Sequence, residues 1–445
     1  MNPYAPHQIA GRRVVLDRLD RDGAALAALL RDRGADVVIA DHAPDAALPE
    51  GCVLVHERLA AVQRADVLMV DCWTPETAAH VVHARERGIH VGCLADLVLH
   101  EWPTPVLGVT GTAGKTTTAR LIAHLLEAVG WDVLIPPTGR AENAWPSADT
   151  LADLVAGRQP DLLVLELTST HLAYMSASPR IAVITSLGPD HAELHGGEGR
   201  YFATKQRILV HQEPGDTAVL PVATDVLVPR DGVRVVRFDD RDPQHLAGVP
   251  VHLRANAVCA LAVVRDALGV AVEDVDLAGY RVPAWRGERI GESGDVAVYH
   301  DGMAATPAKA AAFVRHLPDA SSVLIVGGLA ELEAGPVHAA PGEQRLLREA
   351  CAEFVRAGRR IVVVGPAAAQ VAPLLAQAGA ADVAVGPDLH WAAAEALRDL
   401  EGVAQIAWVP GYPVPLEDRE RFGELVAAAA RTAGRAWSSA ADGAN

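Results

Sequence analysis

One stretch constrains the fold of this chain more than any other: GVTGTAGKTTTARLIAHLL, residues 108–126. An apolar strand pattern leads into Gly108, Gly111 and Gly114, and a lysine–threonine pair then opens an apolar helix pattern. A glycine-rich turn between a strand and a helix exposes backbone N–H groups to a phosphate, and the helix N-terminus adds about half a positive charge. The stretch therefore predicts a phosphate-binding loop at the edge of a parallel sheet.

The residue types in this loop indicate how a nucleotide would be held. Lys115 can reach the outer phosphates, and the hydroxyl of Thr116 can bind Mg²⁺. Val109 stands where the usual G-x-x-x-x-G-K-[ST] pattern has its first glycine, so the spacing is related but not identical. The alternative is a glycine-rich turn without a ligand. The predicted nucleotide-binding residues of the loop are Gly111, Thr112, Gly114, Lys115, Thr116 and Thr117.

The charge balance restricts the partners of the chain. Its 445 residues carry a formal net charge of −17, which argues against a nucleic-acid partner and against an anionic membrane surface. No apolar run is long enough for a membrane span, and the start MNPYAPHQIAGRRVV lacks the apolar core of a signal peptide. The five cysteines are scattered without a C-x-x-C pair, which is typical of a reducing compartment. We expect a cytoplasmic monomer that binds small molecules.

The rest of the chain alternates apolar strand patterns with amphipathic helix patterns, which predicts an α/β fold with parallel sheets. The first strand–helix turn, LDRLDRDGAA, has one glycine, Gly23, where a dinucleotide fingerprint needs three, so a plain βαβ layer is favoured there. The proline-bearing stretches HEWPTP (residues 100–105) and YRVPAWRGERIG (residues 280–291) indicate two boundaries. A chain of this length therefore divides into several domains.

Polar residues follow the buried strand patterns after the loop. Glu166 ends DLLVLE, and a carboxylate there is costly unless it is paired or binds a metal. Asp190 and His191 follow the strand IAVITSL, and Lys205 lies on the helix pattern RYFATKQRILV. Taken singly, such a histidine is more often structural and such a lysine is usually a solvated charge. Together they are candidates for a metal and phosphate site.

The order of these motifs resembles that of the Mur ligase superfamily, and within it the UDP-N-acetylmuramoyl-L-alanine:D-glutamate ligases. The family's T-G-T-x-G-K-[ST]-T loop matches TGTAGKTT, with Ala113 at the variable position. Its Mg²⁺-binding glutamate matches Glu166, its Asp-His pair matches Asp190 and His191, and its lysine, carbamylated in many members, matches Lys205. Later segments match more loosely: PVHLRANA with Asn256, WRGE with Arg286 and DGMAATP with Asp301.

The resemblance implies a three-domain α/β architecture. The N-terminal Rossmann-like substrate domain would span residues 1–102, and the central P-loop ATPase domain with a parallel sheet would span 103–282. The C-terminal domain, which resembles a dinucleotide-binding fold, would span 283–445 and close over the amino acid and nucleotide. The implied reaction uses ATP to phosphorylate a carboxylate, and an amine then attacks the acyl phosphate to form an amide.

The resemblance also implies the roles of single residues. It assigns catalysis to Lys115, His191, Lys205 and Arg286. Two Mg²⁺ ions are expected, one at Thr116 and Glu166 and the other at His191 and a carbamylated Lys205; an uncarbamylated Lys205 would contact a phosphate instead. The remaining nucleotide contacts implied are Asn256 at the adenine edge, Asp301 at a ribose hydroxyl and Arg286 at the γ-phosphate.

Several departures from the family pattern concern the acid and the amine rather than ATP. Met303 and Glu331 stand where the glutamate-adding family has lysines, and WVPGYPVPLEDRERF lacks the family's two serines. A solvated loop acid is the alternative interpretation of Glu331. The first domain lacks the family's Gly-Ser-Gly turn, while Asn143 matches loosely an asparagine near the sugar-peptide substrate. The motifs expected to bind ATP are therefore retained, whereas the positions expected to bind the acid and the amine are altered.

These observations predict an ATP-dependent ligase that joins a small-molecule carboxylate to an amino acid or amine. The leading specific hypothesis is a divergent UDP-N-acetylmuramoyl-alanine–glutamate ligase of peptidoglycan precursor synthesis. A related amide ligase of specialised metabolism with non-UDP substrates is the alternative. From another class, a non-catalytic nucleotide-binding scaffold would not need the second set of metal ligands. A folate-type polyglutamate ligase and an ATPase motor fit the motifs less well.

Overall fold

The computed structural model describes residues 2–136, 143–224, 227–239, 246, 249, 253–272, 277, 279–332 and 335–440. These residues form two compact units. Within the described ranges, the first unit comprises Met1–Gly188, Leu194–Val249 and Leu253–Tyr280, and the second comprises Pro189–Glu193 and Arg281–Asn445. The predicted domain boundaries after residues 102 and 282 stay a prediction.

The first sheet of the first unit has five strands, all parallel, in the order β3-β2-β1-β4-β5. Residues with buried apolar side chains dominate β1, β2 and β4, as expected for a sheet covered on both faces. The strands are β1 Arg13–Leu16, β2 Asp36–Ala40, β3 Val53–Val55, β4 Val67–Met69 and β5 His90–Gly92. The helices are α1 Pro6–Ile9, α2 Arg21–Asp32, α3 Arg58–Val62, α4 Ala79–Glu86 and α5 Leu94–Glu101.

The second sheet of this unit has six strands, again all parallel, in the order β11-β10-β9-β6-β8-β7. The strands are β6 Val106–Thr110, β7 Val133–Leu134, β8 Leu162–Glu166, β9 Ile181–Ile184, β10 Thr217–Pro221 and β11 Arg234–Phe238. The helices are α6 Lys115–Glu127, α7 Ala148–Val155, α8 Ser169–Leu172, α9 Ala192–His195, α10 Glu198–Val210 and α11 Arg254–Leu261, followed by a π-helical turn Ala262–Ala267. Strand β6 lies between β8 and β9, so their carboxyl ends meet at one edge.

The second unit contains a seven-stranded sheet in the order β18-β17-β14-β19-β13-β12-β20, which is parallel except that β12 runs antiparallel to both neighbours. The strands are β12 Glu288–Ser293, β13 Val296–His300, β14 Ser322–Gly327, β17 Gly358–Val364, β18 Val383–Gly386, β19 Gln405–Trp408 and β20 Ser438–Ser439, with a separate pair β15 Glu331–Leu332 and β16 Gly335–Pro336. The helices are α12 Pro307–Val314, α13 Pro341–Ala357, α14 Ala368–Gln377, α15 Leu389–Ala396 and α16 Leu416–Thr432.

The α/β class predicted from the sequence is confirmed. Apolar clusters cover both faces of the third sheet, one around Phe354 and the other around Trp408 and Phe422. The strand–helix alternation in the sequence did not predict the antiparallel hairpin of β12 and β13. Its first strand, ERIGES, has a mixed burial pattern and little apolar signal. No helix of the described residues has the length and apolar character that a membrane crossing requires.

Candidate active site

The predicted phosphate loop lies between β6 and α6 at the carboxyl edge of the second sheet. Gly114 precedes the helix with φ of +81°, in the left-handed region that favours glycine. A Cβ there would come within 2.3 Å of Asn256 Oδ1, and one at Gly111 would come within 2.0 Å of Thr185 Oγ1. The two glycines are therefore required by backbone conformation and by space, and the loop passes close to two polar side chains.

Polar groups after β9 hold the loop in place. The Ala113 N–H donates to Ser186 Oγ over 2.9 Å, and Thr185 Oγ1 donates to the Ala113 carbonyl over 2.5 Å. Thr112 Oγ1 lies 3.0 Å from the Gly188 carbonyl and 3.0 Å from the hydroxyl of Tyr201. The sequence did not indicate Thr185, Ser186 or Tyr201 as contacts of the loop. Thr185 and Ser186 form a polar pair directly after a buried strand, which was a signal for those two, whereas Tyr201 on α10 had no comparable signal.

Lys115 and Thr116 are the first two residues of α6, as the motif predicts. Lys115 Nζ donates to the Gly111 carbonyl over 3.0 Å, so the ammonium group folds over the loop itself. Thr116 Oγ1 donates to Glu166 Oε2 over 2.5 Å and lies 3.3 Å from Asn143 Oδ1. Glu166 ends β8, in register with Val109 of β6, so strand pairing places the carboxylate beside the loop.

The group formed by Thr116, Glu166 and Asn143 has the chemistry of a Mg²⁺ site. All three side chains are buried and present a hydroxyl, a carboxylate and an amide oxygen, which are the hard oxygen ligands that Mg²⁺ prefers. Within the described ranges, no group of three or more His, Cys, Asp or Glu side chains is arranged to hold a metal ion. A Mg²⁺ ion here would therefore complete its shell with water and phosphate oxygens, as is usual in nucleotide sites.

Lys205 lies on the buried side of α10 with 1% of its surface exposed. Its Nζ donates to Thr110 Oγ1 over 3.0 Å and to the Gly111 carbonyl over 3.1 Å, and it lies 5.3 Å from the centre of the Tyr201 ring. A buried lysine needs such partners because an isolated charge away from water is costly. The side chain thus contacts the start of the phosphate loop directly.

Asn256 and Thr117 lie near the same helix start. Asn256, on α11, accepts a hydrogen bond from Thr118 Oγ1 over 3.3 Å and lies beside Gly114. Thr117 is buried, and its carbonyl accepts from the Tyr280 hydroxyl over 3.4 Å. The first unit therefore brings together all six predicted loop residues with Glu166, Lys205 and Asn256. These nine residues are separated widely in sequence and meet at one sheet edge.

The other predicted residues, His191, Arg286 and Asp301, belong to the second unit. His191, with φ of +49°, lies next to Asp190, whose Oδ2 is 3.2 Å from Lys309 Nζ. The Ala192 N–H donates to Glu343 Oε1 over 3.1 Å. These contacts attach the Asp-His segment to α12 and α13.

The positive charge of Arg286 acts on the carboxyl group of Asp301. Burial raises the pKa of Asp301 well above its usual range, and the Gly287 N–H and the positive charges of Arg286 and Lys309 act in the opposite direction. Arg286 Nη1 donates to the Ala284 carbonyl over 3.1 Å. Asp301 follows β13 directly, at the carboxyl end of that strand, where a parallel sheet presents its ligand-binding residues.

Comparison with known proteins identifies the family. A family model described as the Mur ligase middle domain matches residues 109–262, which include the phosphate loop, Glu166, Lys205 and Asn256. A UDP-N-acetylmuramoyl-L-alanine–L-glutamate ligase from a Micromonospora species is 30% identical over 368 residues, covering 72% of this chain and 76% of the relative. The chain belongs to the Mur ligase family. It is accordingly an ATP-dependent ligase of the acid–amino-acid type, as predicted.

Other Mur ligases agree with this assignment. A UDP-N-acetylmuramoylalanine–D-glutamate ligase from Sphingopyxis alaskensis is 30% identical over 336 residues, covering 70% of this chain and 74% of the relative. The crystal structure of MurF ligase from Thermotoga maritima in complex with ADP shares the fold, with a TM-score of 0.58, 17% identity and 97% coverage of both chains. The predicted three-domain Mur ligase architecture is therefore confirmed at the level of the fold.

Proposed function

We propose that this Mur ligase joins the carboxylate of a UDP-N-acetylmuramoyl-alanine-type acid to a glutamate-type amino acid, with ATP as the phosphoryl donor. The observation that carries this proposal is the contact between Thr116 and Glu166 at the start of α6, beside Lys115 and Lys205. The buried Glu166 beside the Thr116 hydroxyl supplies the oxygen ligands by which P-loop enzymes hold the Mg²⁺ of a bound nucleotide. The nature of the acid and the amine comes from the names of the relatives.

The loop residues would perform the phosphoryl transfer. Backbone N–H groups at the start of α6 would bind the phosphates, and Lys115 Nζ would leave the Gly111 carbonyl to neutralise the transferred group. The substrate carboxylate attacks the γ-phosphorus and ADP leaves; the amine then attacks the acyl carbon, and phosphate leaves with loss of one amine proton. Mg²⁺ bound at Thr116 and Glu166 would supply charge neutralisation during the transfer.

A second ion at His191 and Lys205 remains part of the proposal. Lys205 as an ammonium already has two acceptors on the loop, so it can act as a direct cation beside the phosphates. As a carbamate it would carry negative charge and become a metal ligand. Arg286, Asp301 and Asn256 are proposed to contact the γ-phosphate, a ribose hydroxyl and the adenine edge. The domain boundaries after residues 102 and 282 and the monomeric state are proposed with them.

The test is whether phosphate release from ATP depends on both an acid and an amine. Purified full-length protein is given Mg-ATP with UDP-N-acetylmuramoyl-L-alanine or simpler acids, and with D- or L-glutamate. We expect release only when both partners are present, together with a product whose mass shows one new amide. Release that ignores both partners would instead indicate a nucleotide-binding scaffold or a simple ATPase.

A matched pair of variants tests the metal-binding hydroxyl. Thr116→Val keeps the shape but removes the hydroxyl that contacts Glu166, whereas Thr116→Ser keeps it. We expect Val to lower kcat about 100-fold or more and to abolish most Mg²⁺ dependence, and Ser to stay within about fivefold of the parent. Equal activity of the two variants would contradict a role for the hydroxyl.

One observation favours a second candidate substrate. The carboxyl edge of the first sheet carries several aspartates, which does not suit an anionic nucleotide sugar. A phosphate-free carboxylic acid, as in a Mur-type ligase of specialised metabolism, is therefore the second candidate for the same reaction.

A further inference from the structure

One arginine of the second unit lacks a counter-charge among the described residues. Arg419 lies near the start of α16, and its side chain is partly buried. Its Nε atom is shielded from water and donates no hydrogen bond to the described part of the chain, where no carboxylate pairs with its guanidinium either. A charge withdrawn from water without a partner is costly, so an anion bound here would stabilise the site.

The charge that does act on Arg419 is positive. Burial lowers the pKa of the Arg419 guanidinium, and the positive charge of Arg286 lowers it further. The two guanidinium groups therefore lie close enough to repel each other. Because this repulsion occurs where water is partly excluded, an anion placed beside the two groups would be attracted more strongly than at an exposed surface.

His300, the last residue of β13, holds both arginine-bearing segments in place. Burial lowers its pKa to about 4, so the ring is neutral at pH 7. Its Nδ1 accepts from the Gly302 N–H over 3.0 Å, and Nε2 therefore carries the proton and donates to the Arg419 carbonyl over 2.8 Å. The ring of Trp285, which directly precedes Arg286, stacks on His300 with the ring centres 5.9 Å apart.

The turn that carries Arg286 is fixed by its own contacts. Trp285 has φ of +62°, in the left-handed region that a bulky residue rarely adopts. Its N–H donates to Glu288 Oε2 over 2.9 Å, and its carbonyl accepts from the Met303 N–H over 3.1 Å. Such a conformation persists only where the surroundings impose it, so the backbone at Arg286 is set before a ligand binds.

The proposed reaction supplies an anion that suits this site. The attacking amine must be unprotonated, so a glutamate-type amino acid reacts with two carboxylates and a net charge of −2. Carboxylates form planar, bidentate pairs with guanidinium groups. Lys309, whose charge also acts at the end of β13, is already paired with Asp190 over 3.2 Å. Arg419 is therefore the cation of this region that remains for a carboxylate.

We propose that Arg419 binds a carboxylate of the incoming amino acid, beside Arg286, and so gives this ligase its preference for an acidic amino acid. The inference rests on the proposed function, which supplies the amino acid. Arg286 keeps its proposed contact with the γ-phosphate, so the two arginines place the carboxylate of the amine substrate next to the acyl phosphate. No bond forms or breaks at Arg419, which is a substrate-binding residue.

The first test removes the charge. Phosphate release by full-length Arg419→Met is measured against the glutamate isomer that the parent accepts, with Mg-ATP and UDP-N-acetylmuramoyl-L-alanine held constant. We expect the KM for glutamate to rise at least about tenfold and the KM for ATP to stay within about twofold. Arg419→Lys keeps the charge without the planar fork and should recover part of the affinity.

Arg421→Gln is the matched control. Arg421 lies two residues further along α16, is exposed, and donates to Glu417 over 3.0 Å, so its loss should change neither KM. An unchanged KM for glutamate in Arg419→Met, or a rise in the KM for ATP alone, would overturn the inference, because the arginine would then not bind the amino acid.

Glutamine identifies the carboxylate that Arg419 binds. If it binds the side-chain carboxylate, Arg419→Met should lose the preference for glutamate over glutamine while the KM for glutamine stays unchanged. If it binds the α-carboxylate, the KM values for both amino acids should rise by the same factor. Both results support the inference and assign the carboxylate.

Unfolding in urea separates substrate binding from a structural role. A partly buried charge without a partner destabilises the folded state, so Arg419→Met should unfold at the same urea concentration as the parent or at a higher one. A lower urea midpoint together with equal rises in the KM values for ATP and glutamate would indicate a packing role and would contradict the inference.

Direct binding distinguishes failure of this inference from failure of the proposed function. If Arg419→Met forms the amide with an unchanged KM for glutamate, the proposed function stands and the inference fails. If no acid and amine support phosphate release, the proposed function fails, and calorimetric titration of both proteins with glutamate decides the site. Binding to the parent at least about tenfold tighter than to Arg419→Met supports the inference, and equal or absent binding overturns it.

Discussion

At the scale of the residue, the site consists of short polar contacts between strand ends and one helix start. Thr116 contacts Glu166, Lys115 contacts Gly111, and Lys205 contacts Thr110. Each of these contacts joins positions far apart in sequence or crosses a tight turn, and each involves a group that carries or binds charge. Because the groups are largely screened from water, the removal of one leaves its partner unsatisfied, and we expect a large effect on function.

Lys115 is the residue whose loss has the clearest expected effect. Lys115→Ala removes the cation that would neutralise the transferred phosphoryl group, so kcat for amide formation should fall by about 1,000-fold or more. Phosphate-release kinetics measure this directly. Arg158→Ala, which removes an exposed cation outside the site, should leave the rate within about twofold. Near-normal turnover in Lys115→Ala would refute the proposed phosphate role.

Lys205 tests the proposed carbamate. Lys205→Ala should lose most activity, and if the lysine acts as a carbamate, added short carboxylic acids should restore part of it by taking the place of the carbamate as a metal ligand. Intact-protein mass spectrometry and a crystal structure with bound nucleotide then show whether the parent carries the extra CO₂. Absent rescue together with an unmodified lysine would favour the ammonium, which contacts Thr110 and Gly111 directly.

At the scale of the element, the connection from β6 to α6 determines where the nucleotide would bind. The helix begins at Lys115 after Gly114, which lies in the left-handed region and has no side chain to cap the first turn, so the helix start can face a phosphate. Strand pairing places Glu166 level with Val109, next to this helix start. Element geometry, more than any single contact, therefore aligns the hydroxyl, the carboxylate and the loop.

Gly114 and Gly130 form a matched pair at the two ends of α6. Both have positive φ, +81° and +91°, but a Cβ at Gly114 would collide with Asn256, whereas nothing lies within 4 Å at Gly130. Gly130→Ala should cost about 1 kcal/mol of unfolding free energy from backbone strain alone. Gly114→Ala should cost more and should also raise the KM for ATP, as urea unfolding and kinetics would show. Equal costs for both would argue against a close approach of Asn256 to the loop.

At the scale of the whole molecule, each of the two units contains a buried histidine whose altered pKa the sequence did not predict. His171 in the first unit and His300 in the second are both buried, and burial lowers the pKa of each to about 4. His300 packs between Trp285, Trp408 and Phe422, and the positive charge of Arg419 also opposes protonation of its ring. Their protonation is therefore coupled to unfolding.

This coupling predicts acid sensitivity. Between pH 6.5 and 4 an unfolded histidine binds a proton that the folded one does not, so stability falls as pH falls through this window. Each histidine should remove about 2 kcal/mol between pH 7 and 5, while Asp71, with its pKa raised to about 6, offsets part of this below pH 6. Urea midpoints followed by tryptophan fluorescence measure the slope. His300→Gln should flatten it, and the exposed His42→Gln should not; an unchanged slope in His300→Gln would contradict the assignment.

The amino-acid sequence by itself determined the class of the fold and the position of the glycine-rich loop, because strand and helix periodicity and glycine spacing are local signals; polar residues at strand ends also pointed to Glu166, which lies beside that loop. It did not show Thr185, Ser186 or Tyr201 around the loop, nor the antiparallel β12, whose pattern is weak. Only the tertiary structure decided that Arg286 and Arg419, from separate segments of the chain, lie close enough for their charges to interact. Charges from separate strands and helices acquire a common effect only when folding brings them to the same edge, and no local pattern records that distance.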